Sequence, residues 1–105
     1  MQAYQLEFFT EHDKRHGHQA LYQWLLDTAR GLGIRGATVF TGTMGFGRHG
    51  RMHSAHFFEL ADQPVVVTMA ATEEEAQHLF ARLEQEQVHL VYVKIPVEYG
   101  ETGHS

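Results

Sequence analysis

The sequence predicts a small α+β domain with the element order β-α-β-β-α-β. Three observations predict it. Aromatic residues alternate with polar ones near the start of the chain, two stretches repeat apolar residues at helical spacing, and three further segments are rich in β-branched residues. Because 105 residues make one ordinary domain, we expect residues 1–105 to share a single core, with a flexible tail at about 99–105.

The first half of the chain predicts a strand, a helix and a second strand. Apolar and aromatic residues alternate with polar ones from Tyr4 to Phe8, as in a half-buried strand. Apolar residues then recur at helical spacing over residues 21–32, which predicts a helix that begins near residues 16–18 and carries Trp24 and Leu25 in the core. The β-branched residues of 37–43 predict a strand.

The second half predicts a strand, a helix and a last strand. The Val65-Val66-Val67 run indicates a strand covered on both faces. Thr72 and Glu75 form a capping box at the start of the second helix. Residues 88–97 form the last strand, which Pro96 should confine to an edge or an end. This order is the ferredoxin-like plan, a four-stranded antiparallel sheet with two helices on one face. We expect the other face to be covered by self-association.

Composition excludes several classes of function. A formal charge of −5 argues against general nucleic-acid binding, although Arg30, Arg35, Arg48 and Arg51 lie in a stretch that has no acidic residue. There is no cysteine, hence no thiolate chemistry and no disulfide. The sequence shows no signal-peptide order and no run long enough to insert in a membrane, so a cytoplasmic protein is expected.

Residues 45–51 can form an anion site by their chemistry alone. Gly45, Gly47 and Gly50 interrupt the predicted strand and open a loop at about 42–56. Glycines can turn successive backbone N–H groups inward, and Arg48 and Arg51 add charged donors. A phosphate or a carboxylate is the expected guest. The alternative is a solvated loop that needs glycine only for its turns.

The motifs resemble those of a known family. Residues 33–39 read G-I-R-G-A-T-V and residues 45–48 read G-F-G-R, and both runs are similar to those of the PII signal-transduction proteins. Together with Glu11-His12-Asp13-Lys14 and the run from Gly36 through Met44 to His53, they resemble most an uncharacterised branch of PII-like proteins. The resemblance covers nearly the whole chain.

The resemblance implies a ferredoxin-like homotrimer that binds a small anionic effector between subunits, at the base of the loop after the second strand. The effector class includes nucleotides, bicarbonate and metabolites, and the partner would be a regulated enzyme or a membrane transporter. The implied ligand residues are Thr38, Gly45, Phe46, Gly47 and Arg48. Arg51, as a charged donor of the same loop, and His53 are further candidate ligand residues.

This chain departs from the nucleotide-binding members at three places. It has one residue more between Gly36 and Gly45. The nucleotide-binding members have a glycine-rich phosphate loop before the last strand, where this chain has Glu86-Gln87-Val88. Only Lys94 remains of the basic residues at the end of that strand.

Two further classes of function stay open. The chain has nine histidines, and His49, His53 and His56 could hold a divalent metal if the loop folds back. A small ferredoxin-like enzyme could use His53 or His56 as a base. No nucleophile signature or cofactor fingerprint accompanies these histidines. A non-catalytic binding protein is therefore the preferred interpretation.

Overall fold

A computed structural model describes residues 1–46, 52–54 and 63–103, with the backbone alone at 52–54. The helices and strands have the following bounds: β1 Gln2–Glu11, β2 Arg15–His16, β3 Gln19–Ala20, α1 Leu21–Gly31, β4 Ala37–Thr41, β5 Met44–Phe46, β6 Met52–Ser54, β7 Pro64–Ala71, α2 Glu73–Gln85 and β8 Val91–Glu98.

The main sheet is antiparallel and has four strands in the order β4-β7-β1-β8. Phe8 of β1 lies opposite Val67 of β7 on one side and opposite Tyr92 of β8 on the other. Both helices pack on one face of this sheet, which confirms the predicted ferredoxin-like fold. Pro96 lies on β8 at an edge of the sheet, as predicted, where its missing N–H costs no inner ladder bond.

The core lies between the helices and the sheet. The period-two pattern of β1 and β7 places alternate side chains under the helices, and its fully buried members include Leu6, Phe8, Val65 and Val67. Leu25 of α1 is also fully buried, as predicted. The aromatic Trp24, predicted in the core, lies instead half-buried at its border, where its ring centroid is 4.4 Å from that of His16.

The first helix begins later than predicted. It starts at Leu21, because residues 15–20 form a small antiparallel ribbon of β2 and β3. Gly17 turns this ribbon with a φ of +64°, a conformation that glycine adopts without steric cost. The last strand is also shorter than predicted, since it begins at Val91.

The second helix has the predicted capping box. The Glu75 N–H donates to the Thr72 hydroxyl, and the Thr72 N–H donates to the Glu75 carboxylate. Replacing Thr72 by alanine should lower the free energy of unfolding by about 1 kcal/mol, because one N–H then loses its partner. Thr72→Ser should keep most of the stability. Urea unfolding of both variants measures the difference, and equal losses would contradict a capping role.

The face of the sheet that carries no helix, here called the open face, is strongly apolar. Among its large side chains, these remain substantially exposed: Phe9 39%, Phe40 57%, Val91 51%, Val93 40% and Ile95 40%. Val66 lies on this face and is half-buried, so the valine run of β7 is covered on one face in the single chain, not on both as predicted. Self-association through this face therefore stays a prediction.

Candidate functional site

The segment after β4 forms a hairpin where a loop was predicted. Met44–Phe46 pairs with Met52–Ser54, so Gly45 belongs to a ladder and lies opposite His53. The Gly42 N–H donates to the Pro64 carbonyl at 2.8 Å. A Cβ added at Gly45 would lie 3.6 Å from Cγ of Pro64. This distance is an ordinary van der Waals contact, so β5 lies beside the Pro64 ring without requiring a glycine at position 45.

His12 joins three elements at the base of this hairpin. Its backbone N–H donates to the Gln63 carbonyl at 3.1 Å, and its Nε2 lies 3.2 Å from Oγ1 of Thr41. The edge of its ring also packs against Tyr22 of α1, with the ring centroids 5.3 Å apart. His12 is the variable position of the motif Glu11-His12-Asp13-Lys14, and sequence reasoning gave it no role. The contacts indicate that it joins Thr41, before the hairpin, and Gln63, after it, to α1.

The structure separates two of the predicted ligand residues. Phe46 lies on the hairpin and is 71% exposed, whereas Thr38 lies on the open face, opposite Thr68 of β7. Thr38 is three residues from the end of β4, or about 10 Å from the base of the hairpin. Gly47, Arg48 and Arg51 lie outside the described residues, as does the side chain of His53.

Thr38 lines a cavity of about 570 Å³ on the open face. Its polar lining includes Gln5 and Thr68, which lie on the open face and offer an amide and a hydroxyl. Tyr99 also lines this cavity, and the Arg35 guanidinium lies 5.8 Å from the centroid of its ring. The cavity is shallow and wide open to solvent, so a small molecule bound there would need a further surface to enclose it.

Sequence reasoning missed Gln5 and Thr68 as neighbours of Thr38. The signal was present, because the period-two alternation of β1 and β7 places both side chains on the face opposite the core. What the sequence lacked was the strand register, which sets Thr38 against Thr68.

Lys94 does not face this cavity. Its Nζ lies 3.4 Å from Oε2 of Glu73 and 4.2 Å from the ring centroid of Tyr4, on the helix side of β8. The pKa of the exposed Glu73 carboxyl is lowered, chiefly by the hydrogen bond from Gln77 and further by Tyr4 and Lys94. Lys94 therefore has structural partners on the helix side of β8.

The segment that replaces the phosphate loop has an unusual backbone. Gln87 has a φ of +56°, in the left-handed region that favours glycine, although glycine is absent there. The Gln87 and Val88 N–H groups donate to Glu84 and Leu83 at the end of α2. Both donors close the helix and are therefore engaged within the chain.

The metal alternative stays a prediction. Within the part of the chain that the structure describes, no three histidines or carboxylates converge on a metal-sized site. His49, His56 and the side chain of His53 lie outside that part. In the same described residues, no helix is long and apolar enough to cross a membrane.

Solved structures place this fold in the PII-like class. A PII-like signalling protein from Thermus thermophilus superimposes with a TM-score of 0.64 over 92% of this chain and 86% of its own, at 17% identity. CPII from Thiomonas intermedia K12, a nitrogen regulatory PII-like protein bound to ADP, AMP and bicarbonate, superimposes with a TM-score of 0.67 over 96% of this chain and 91% of its own, at 25% identity.

Sequence comparison gives the particular branch. The family DUF190, described as Uncharacterized ACR, COG1993, matches residues 3–97, and this chain belongs to it. A UPF0166 protein of Aquifex aeolicus (strain VF5) is 30% identical over 79 residues, which cover 74% of this chain and 75% of that relative. The predicted membership of an uncharacterised PII-like branch is thus confirmed.

Proposed function

We propose that this chain is a non-catalytic, cytoplasmic PII-like regulator that binds a small anionic effector, in the first place an adenine nucleotide. The effector lies against the cavity that holds Thr38, and a second copy of the chain closes this cavity within a homotrimer. Binding of the effector then changes how the loop at about 42–56 contacts a partner, which is an enzyme or a membrane transporter.

One observation carries the proposal. The family resemblance implies Thr38 as a ligand residue. Thr38 lies on β4, and it lines the open-face cavity together with Gln5 and Thr68. The likeness to CPII, which binds ADP, AMP and bicarbonate, supports a nucleotide as the guest.

The apolar open face supports a site shared between copies. Exposed Phe40 and Phe9 lie on this same sheet face, on strands β4 and β1. Covering such side chains with a second copy removes apolar area from water, at about 25 cal/mol for each Å². The same contact would turn a shallow cavity into an enclosed cleft, where hydrogen bonds to an effector are stronger than at an open surface.

Thr38→Val tests the site with the smallest change of shape. Valine removes one hydroxyl, so the affinity for ADP or AMP should fall about 10-fold, the value of one hydrogen bond of about 1.4 kcal/mol. Titration calorimetry with ADP, AMP and bicarbonate measures it. Thr10→Val on β1, opposite Val65 on the helix side, is the matched control and should bind as the wild type does. A wild type that binds none of the three ligands would refute the proposal, and equal affinity of Thr38→Val would place the site elsewhere.

A further inference from the structure

The side chain of Arg35 crosses one end of the main sheet. Arg35 lies just before β4, yet its Nη1 donates to Sδ of Met1 at 3.3 Å and its guanidinium lies 5.8 Å from the ring centroid of Tyr99. Met1 and Tyr99 extend β1 and β8, since their backbones exchange two hydrogen bonds of 2.9 Å. Between β4 and β1 lies β7, which ends at Ala71. The Arg35 side chain therefore passes beyond the end of β7 to reach the other two strands.

The cavity on the open face extends to this same end of the sheet. Gly36, which follows Arg35 in the chain, and Tyr99, which the guanidinium approaches, both line it. Ala70 also lines it and lies on the open face of β7, as Thr68 does. Because Gly36 and Ala70 have little or no side chain, the surface is hollow here. The guanidinium thus borders the cavity at the end that lies away from the hairpin.

This guanidinium keeps most of its hydrogen-bonding capacity. Among the described residues, its one hydrogen bond goes to a thioether sulfur, which is a weak acceptor, and no carboxylate forms an ion pair with it. Glu98 lines the cavity too, but it lies four residues after Lys94 on β8, so its side chain projects on the helix side. A charged donor is therefore available to an anion in the cavity.

Arg35 is distant from the arginines of the predicted loop. Three residues separate it from Thr38, and β4 continues for three more to Thr41, before the hairpin. At about 3.3 Å for each residue of a strand, the two ends of this segment are about 20 Å apart. One small anion cannot contact both ends, so an anion at Arg35 needs its own site.

We propose that Arg35 anchors a small carboxylate at this end of the cavity. The planar guanidinium can give a carboxylate two parallel hydrogen bonds, a geometry that an ammonium group cannot offer. The apolar body of the ligand lies over Ala70 and Val97, which line the cavity beside Tyr99. The inference goes beyond the proposed function, because it assigns to the same cavity a second anion that needs neither a nucleotide nor the loop at about 42–56.

Titration with propionate, followed by nuclear magnetic resonance at constant ionic strength, tests this site. Isotope-labelled wild type should show saturable shifts at the amides of Gly36 and Tyr99. Propionamide has nearly the same shape but no charge, so it should leave both amides unshifted. Arg35→Gln should weaken propionate binding about 10-fold or more, because charge-assisted hydrogen bonds are lost. Arg30→Gln removes an exposed charge from the last turn of α1 and is the matched control, which should bind as the wild type does.

Several results would overturn the carboxylate site. They are a wild type without saturable shifts, equal affinity of Arg35→Gln, an equal loss in Arg30→Gln, or an equal response to propionamide. If thermal unfolding shows that Arg35→Gln does not fold, Arg35→Lys replaces it. Lysine keeps the charge but loses the paired hydrogen bonds, so binding should weaken at least about 3-fold. Wild-type affinity in Arg35→Lys would then refute the anchor.

Calorimetry with ADP and AMP separates this inference from the proposed function. A wild type that binds a nucleotide but not propionate would overturn the carboxylate site and leave the proposed effector site standing. A wild type that binds propionate through Arg35 but neither nucleotide would support the carboxylate site and refute the nucleotide effector.

Discussion

Replacing Phe8 by alanine should lower the free energy of unfolding by about 3 to 5 kcal/mol, because the large side chain leaves a cavity that the core cannot fill. Phe8 is fully buried, and its ring lies 5.9 Å from Phe80 and 6.3 Å from Tyr92. Urea unfolding followed by circular dichroism measures the loss. A change below about 1 kcal/mol would contradict the position of β1 under the helices.

Phe9→Ala is the matched control, because Phe9 is the next residue of β1 and lies on the open face with 39% exposure. Its replacement should cost the single chain clearly less than the Phe8 change. If copies associate through the open face, the remaining loss from Phe9→Ala should depend on protein concentration, since it acts on assembly. Equal and concentration-independent losses would mean that the two faces of β1 are buried alike.

Changing Arg48 and Arg51 together to alanine should weaken binding of the anionic effector at least about 100-fold. Each guanidinium is expected to give charge-assisted hydrogen bonds to a phosphate or a carboxylate, worth about 1.5 to 3 kcal/mol. The free energy of unfolding should change by only about 0.5 kcal/mol, if both side chains are exposed as loop residues usually are. Calorimetry and thermal unfolding measure the two effects separately.

Gly47→Val tests the backbone part of the same prediction. Valine disfavours the positive φ that an inward-facing group of N–H donors would need, so this variant should lose the same ligand as the arginine pair does. If every ligand of the wild type binds both variants equally well, residues 45–51 serve only as a loop. The metal-binding alternative, with His49, His53 and His56 as ligands, would then be the next hypothesis to test.

The base of the hairpin offers a route by which binding could reach a partner. His12 contacts Thr41, the last residue of β4, and Gln63, the residue before β7, and also Tyr22 of α1. In the proposed function the loop at about 42–56 responds to the effector, and these contacts join the chain on either side of that loop to α1.

The sequence by itself determined the order of the main elements, the buried face of β1 and the capping box of α2. These features depend on local periodicity and on contacts within four residues, as at Thr72 and Glu75. The motif Gly45-Phe46-Gly47-Arg48 also pointed to the PII-like class, which the solved structures bear out.

Only the tertiary structure decided the ribbon before α1, the hairpin against Pro64 and the separation of Thr38 from Phe46. Each of these depends on the pairing of residues distant along the chain. A periodic pattern within one strand does not determine which residues of another strand lie opposite it. The cavity of Gln5, Thr38 and Thr68 is the clearest case. Alternation placed each residue on a face, but the alignment of three strands brought them together, because hydrogen bonds between strands fix which residues are neighbours.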